Sequence, residues 1–312
     1  MSRKAIVVAG PTASGKSALA VRVAEAFDGL VVNADSMQVY QTLSILTARP
    51  GPAEQARAPH RLYGILPPEA LCSAGRWRGL AVAECEAAWR EGKLPIVVGG
   101  TGLYLRALVD GLSPVPEVPD DVRANARGRF AEMGNLAFHA LLAQHDPVMG
   151  ARLHPGNSQR LVRAWEVLQA TGRSLAEWQA EPPVDRLAAD VATIVLVPPS
   201  ETLYAACDRR FLEMVDRGAV EEVGTLRSLG LDRALPSMKA LGVAELAAHL
   251  RGEISLQQAV AAAQRATRNY AKRQLTWFRH QMRADYPLPA QFSESFLPKI
   301  LSFIRQFLLT KP

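Results

Sequence analysis

The sequence predicts an α/β fold, a parallel sheet flanked by helices and interrupted by an all-helical insertion, and three observations carry that prediction. Apolar runs at residues 5–9, 30–34 and 94–98 alternate with helix-patterned stretches. Such runs are apolar on both faces, as parallel strands covered by helices on two sides must be. No strand signal then occurs between a proline-rich boundary at 111–119 and a return of strand texture at 192–197. A length of 312 residues suits two domains, or one core carrying an insertion.

Taken in order, residues 5–9 read as a buried strand and 17–27 as the helix after it. Residues 30–34 form a second strand ending at Asp35-Ser36, 74–91 a helix, and 94–98 a third strand ending at Gly99-Gly100. Ligands sit beyond the carboxyl ends of such strands, so the three ends are expected to converge on one site. From Asp120 to about Glu181 only helices are expected, the first opening with Asp120 and Asp121 behind Pro119. Asn157 is expected to cap a helix through Gln169, and Ser174 with Glu177 to form a capping box. Residues 192–197 return to strand, and the remainder reads as mostly helical. The expected organisation is a core of residues 1–112 and 191–312, with a helical insertion at 113–190.

Hydrophobic residues make up 48% and charged residues 21%, which excludes a wholly disordered chain. The 36 Lys and Arg exceed the 30 Asp and Glu, a net charge of +6 that favours anionic partners. Cys72, Cys85 and Cys207 lie far apart with no CxxC pair, which speaks against a disulfide framework and points to a reducing cytoplasm. The apolar run at 5–9 is too short for a signal-peptide core, and nothing approaches a membrane span. The six histidines form no HExxH pair, which speaks against zinc catalysis.

The most specific local signal is Gly10-Pro11-Thr12-Ala13-Ser14-Gly15-Lys16-Ser17, a full GxxxxGK[ST] match between a strand and a helix. Glycines let the backbone fold around an oxyanion, and successive N–H groups point inward at a helix N-terminus. Lys16 adds a mobile positive charge, and the Ser17 hydroxyl suits a magnesium ion. The core is therefore P-loop NTPase-like. An ordinary NTPase would also carry a carboxylate after a later strand. The third strand instead ends Val97-Val98-Gly99-Gly100-Thr101, and the nearby strand-end acid is Asp35. These residues leave open a magnesium ligand or a base acting on substrate, and equally an ATP-dependent phosphotransferase or an RNA-binding switch.

Near the C-terminus Arg265, Arg268, Lys272, Arg279 and Arg283 share a sector of about 60° on a helix of 3.6 residues per turn. No acidic residue interrupts them, so the stripe suits a polyanionic backbone. Arg160 with Arg163, and Arg123 with Arg127 and Arg129, add basic groups in the insertion.

Seven segments together resemble the tRNA dimethylallyltransferases, also called tRNA isopentenyltransferases. They are GPTASGKS (10–17), NADSMQVY (33–40), TARP (47–50), APHRL (58–62), VGGTGLYLRALVDGLSP (98–114), DPVMGARLHPGNSQRLVRAWEVLQATG (146–172) and ATRNYAKRQLTWFR (266–279). The resemblance implies transfer of a dimethylallyl group from dimethylallyl diphosphate to N6 of an adenosine beside the tRNA anticodon, with Mg2+ assisting. By motif position, residues 12–17 bind the donor diphosphate, Asp35 acts as general base, Thr101 assists, and Arg210 clamps the diphosphate. Contacts to the anticodon stem-loop fall to Asp35, Ser36, Met37, Gln38, Thr101, Arg123, Gln159, Arg160, Leu161, Val162 and Arg163. A monomeric enzyme is expected. Departures from the family pattern at Leu46, Gly64, Ala206 and Val243 touch neither the phosphate loop nor Asp35.

Overall fold

The computed structural model describes residues 3–310. Its elements run β1 (Lys4–Ala9), α1 (Lys16–Ala26), β2 (Gly29–Asn33), α2 (Pro52–Gln55), β3 (His60–Arg61), α3 (Ala74–Arg90), β4 (Leu94–Gly99) and α4 (Gly102–Val109). A helical stretch follows: α5 (Asp120–His145), α6 (Pro147–Arg152), α7 (Ser158–Thr171) and α8 (Leu175–Ala180). The chain then returns through β5 (Asp190–Leu196), α9 (Ser200–Asp216), α10 (Ala219–Ser228), α11 (Val243–Leu250), α12 (Leu256–Gln281), β6 (Tyr286–Leu288) and α13 (Leu297–Leu309). Two compact units result, one of residues up to 109 with those from 187 onward, the other of residues 110–186.

In the larger unit six parallel strands lie in the order β3-β2-β4-β1-β5-β6. Alternate side chains feed two cores. Ala5, Val7, Val32 and Val97 meet Trp77 and Ala81 of α3 and Leu105 of α4, while Ile6, Val8, Val31 and Ile96 meet Leu19 and Val23 of α1 and Ile300 of α13. The apolar runs of β1, β2 and β4 are thus the sequence imprint of a sheet covered on both faces. Ala9 pairs with Gly99 and Asn33 with Val98, so these three strands end level and their loops emerge together. A third core joins Phe211 of α9, Val223 of α10, Leu246 of α11 and Ala263 of α12.

Two strands escape the sequence pattern. β3 has only two residues, and β6 carries Pro287, which an edge strand tolerates. Lys4 reaches back to α13, donating to the carbonyls of Phe307 at 2.7 Å, Leu308 at 3.1 Å and Thr310 at 2.5 Å. A buried cation there satisfies carbonyls that no further turn can use and opposes the negative helix end.

The helical unit has its own core, with Phe138, Leu142, Leu161 and Trp165 buried together. α5 is kinked at Gly134, whose backbone leaves the helical region. Two expected caps differ. Asn157 makes no side-chain cap because its backbone is not extended, so its carboxamide is not aimed at the first turn. Ser174 does cap α8, through Ala176 N–H, but Glu177 pairs with Arg173 at 3.0 Å instead of closing a box. The Ser174 hydroxyl donates to buried Asp146 at 2.7 Å, which itself caps α6. Among the described residues no helix is long and apolar enough to cross a membrane, and the three cysteines are free.

Phe138 is fully buried and meets Phe130 and Trp165 edge-on at 5.2 and 5.9 Å between centroids. Phe138→Ala should therefore lower stability by about 3–5 kcal/mol, read as a shifted midpoint in urea unfolding followed by circular dichroism.

Candidate active site

Residues 10–15 leave β1 and turn into α1, whose first turn carries Lys16 and Ser17. Gly15 has φ 87, in the left-handed region, and a Cβ there would lie 2.9 Å from Phe292 Cβ. Glycine alone closes this turn. Ala13 also sits at positive φ, 61, which costs an L-residue about 1–2 kcal/mol. Its carbonyl is held by Gln291 Nε2 at 3.0 Å, and the next carbonyl, of Ser14, accepts the Phe292 N–H at 3.0 Å. The Ser14 hydroxyl is buried without a hydrogen-bond partner. An orphaned donor on this loop fits an anionic oxygen.

Arg210, on α9, donates through Nη2 to the Thr12 hydroxyl. Lys16 donates to the Pro11 carbonyl at 3.2 Å. Desolvation pushes the Lys16 ammonium down to about 8, with Asp35 opposing the shift and Arg210 reinforcing it. The Arg210 guanidinium is lowered too, again by burial first, while Cys207 and Asp35 oppose. Two cations under strain from desolvation, beside one acid, leave room for a further negative charge.

The acid is placed by its neighbours. Buried Asn33, the last residue of β2, accepts the Asp35 N–H at 2.8 Å and donates to the carbonyls of Asp35 and Leu62, both at 3.0 Å. Asp35 Oδ1 accepts the Met37 N–H at 2.9 Å, and Oδ2 has no donor among the described residues. The Thr101 hydroxyl accepts the Ser36 N–H at 2.9 Å and donates to Ser36 Oγ at 3.3 Å. Gln274 of α12 joins the loops: its Oε1 accepts the Thr12 N–H at 2.8 Å, and its Nε2 donates to the Gly100 carbonyl at 2.8 Å.

A cavity of about 260 Å³ opens where these loops meet. Thr12, Asp35, Ser36, Met37 and Arg210 line it, with Tyr270 and Arg273 from α12. Its apolar lining includes Leu46, Phe211, Met214 and Leu241. Burial and the Asp35 charge both raise the Tyr270 phenol. Of the expected site residues, Thr101 stands behind Ser36, and Gln38 donates its amide to the carbonyls of Thr47 at 2.8 Å and Ala48 at 3.0 Å. Gly10 and Pro11 are buried, and Ser17 is exposed on α1.

In the helical unit, Arg123 pairs with Asp120 at 3.5 Å, Gln159 and Arg160 are exposed, and Arg163 pairs with Glu166 at 3.5 Å. Val162 is half-buried and Leu161 fully buried. Residues 159–163 of α7 are therefore not one contact strip, because the helical period turns Leu161 inward. The basic stripe also changes. α12 ends at Gln281, which leaves Arg283 beyond it, and Arg268 finds a carboxylate on α9, Asp208 Oδ1 at 2.5 Å. Arg265, Lys272 and Arg279 remain exposed, with no acidic partner among the described residues.

Sequence reasoning missed Asn33, Gln274 and Gln291. Asn33 and Gln274 lie in the NADSMQVY and ATRNYAKRQLTWFR segments and Gln291 in none, but nothing local shows that the two glutamines act on a loop more than 250 residues away.

The family model described as IPP transferase matches residues 38–281, and one described as isopentenyl transferase matches 3–65. The tRNA dimethylallyltransferase of Paramagnetospirillum magneticum is 59% identical over 311 residues, covering 100% of this chain and 99% of its own. The chain belongs to the tRNA dimethylallyltransferase family. Solved structures of that family agree in fold. The tRNA isopentenylpyrophosphate transferase of Bacillus halodurans matches at a TM-score of 0.71 and 31% identity, over 98% of this chain and 97% of that one. A eukaryotic dimethylallyltransferase acting on tRNA matches at 0.84 and 25% identity, over 100% and 81%. Membership makes this dimethylallyltransferase-family chain a transferase, a point the phosphate loop leaves open.

Lys16 is charged below about 8 and loses its proton above it. Inorganic pyrophosphate should therefore bind more weakly, relative to a Lys16→Met variant, as pH rises from about 7 to about 9. Calorimetric titration of both proteins measures the ratio, and a pH-independent ratio would remove Lys16 from anion binding.

Proposed function

We propose that the enzyme transfers the dimethylallyl group of dimethylallyl diphosphate to N6 of the adenosine next to the anticodon in tRNA. One observation carries this reading: Asp35 shares a single cavity with the anion-directed groups Thr12 and Arg210 and with the apolar side chains Leu46, Phe211 and Met214. A diphosphate with a short hydrocarbon tail has both chemistries. No carboxylate follows β4, where a phosphoryl-transfer enzyme of this core would place one.

The adenine amino nitrogen is a weak nucleophile, since its lone pair is delocalised into the ring. Asp35, fixed by Asn33 and Met37, would take the N6 proton through its undirected Oδ2 as the N–C bond forms and the C–O bond of the donor breaks. Loop amides, Lys16 and Arg210 would stabilise the leaving diphosphate as its charge grows. The apolar lining would keep water from an allylic carbon that becomes cationic. A base stacked in an anticodon loop has to be flipped out to reach Asp35, at a cost of a few kcal/mol. Arg123, Arg160 and Arg163 of the helical unit would hold the RNA backbone.

Magnesium fits the cradle only as a partner of the substrate. Among the described residues no three His, Cys, Asp or Glu side chains form an ion site, whereas the Ser17 hydroxyl is exposed and free. One protein ligand with diphosphate oxygens and water is a usual magnesium shell, and the ion would offset charge on the leaving group. We take the enzyme to act as a cytoplasmic monomer.

The deciding experiment incubates purified enzyme and an unmodified anticodon hairpin with dimethylallyl diphosphate or, separately, ATP. A mass gain of one dimethylallyl group on adenine supports prenyl transfer, and turnover of ATP alone refutes it. Asp35→Asn should bind donor and hairpin normally yet slow single-turnover alkylation about 10²–10⁴-fold. A change confined to KM would reduce Asp35 to a binding group. Lys272→Glu with Arg279→Glu should weaken hairpin binding and flatten its dependence on salt, and an unchanged slope would remove this helix face from the interface.

A further inference from the structure

Gln274 is 6% exposed and stands in α12, 262 residues beyond the loop it touches. The chemistry of its partners fixes which way its amide points. Thr12 N–H can only donate, so it takes Oε1, and the Gly100 carbonyl can only accept, so it takes Nε2. A Cβ on Gly100 would lie 2.4 Å from Nε2, so glycine is what admits the amide. Thr12 is bound in turn to Arg210, and the residue after Gly100, Thr101, accepts the N–H of Ser36 beside Asp35. Hydrogen bonds joined by the Gly100–Thr101 peptide link therefore connect Arg210 and Thr12, through one buried amide, to the turn that carries the acid.

We infer that Gln274 is a positioning residue, setting the separation between the departing diphosphate and the base that activates the acceptor. The inference rests on the prenyl-transfer reading of the cavity. Gln274 is not among the residues lining the cavity, so its contribution lies in alignment. Misalignment of reacting groups slows the chemical step while leaving the binding of each substrate alone.

The test uses the full chain with three single variants. Gln274→Met fills the space without polar atoms, Gln274→Glu keeps the shape but lacks the donor, and Gly100→Ala displaces the amide without touching Gln274. Each should lower the single-turnover rate on the anticodon hairpin by about tenfold or more, with hairpin and inorganic pyrophosphate affinities within about twofold of wild type. The Gly100→Ala methyl would meet Gln274 Nε2 at 2.4 Å and the Gly10 carbonyl only at 3.2 Å, so it acts chiefly through Gln274. With a fourth single variant, Gln274→Ala, a Gly100→Ala/Gln274→Ala double variant should be no slower than the slower of its two single variants. Rates within about twofold of wild type, additive losses in the double variant, or binding lost in step with rate would each overturn the inference. Should one glutamine variant fail to fold, Gly100→Ala decides. Failure of the wild type to alkylate would instead refute the prenyl-transfer reading.

Discussion

A run of backbone N–H groups can face an anion only while something else holds the carbonyls of the same loop. Here the carbonyls of Ala13 and Ser14 are taken from outside by Gln291 and by the Phe292 amide, and the Thr12 N–H is turned toward Gln274. The parallel sheet places the loop, since β1 lies between β4 and β5 and its neighbours end at the same level. Arg210 and Lys16 then stand beside that cradle at the expense of their own hydration. An arrangement so short of negative charge makes physical sense as the resting half of an ion pair.

In the proposed reaction the same cavity serves a charged head, an apolar tail and a nucleobase. Asp35 meets that demand because its backbone, not only its carboxylate, is secured: Asn33 accepts its N–H and donates to its carbonyl. An acid held this way has one oxygen occupied by Met37 N–H and the other without a donor among the described residues. Tyr270, covered on one side by the Arg273 guanidinium at 5.6 Å, brings a flat surface into the cavity beside it.

Much of this was legible in the sequence, and the reasons are local. Strands such as β4, and β1 after Lys4, are apolar because both faces are covered, and the phosphate loop is one contiguous motif joined to the helix that follows it. Asp35 could be placed because it directly follows a strand and a single alanine. What stayed hidden depends on long-range contact. Residue 288 pairs with 196 only once the sheet exists, Arg268 looks unpaired until α9 brings Asp208 alongside, and a glutamine at 274 resembles any other helical glutamine. Leu161 shows the converse: it belongs to a motif stretch but is committed to the core of the helical unit.

The fastening of the phosphate loop by residues far along the chain also bears on biosynthesis. The loop leaves the ribosome well before its ties, since Gln274 follows Thr12 by 262 residues and Gln291 follows Ala13 by 278. At translation speeds of about 5–20 residues per second, the nascent cradle waits roughly 13–55 s for its outer ties. During that interval the strained Ala13 has no scaffold behind it. The phosphate loop is therefore fastened from outside only long after its own residues have been made.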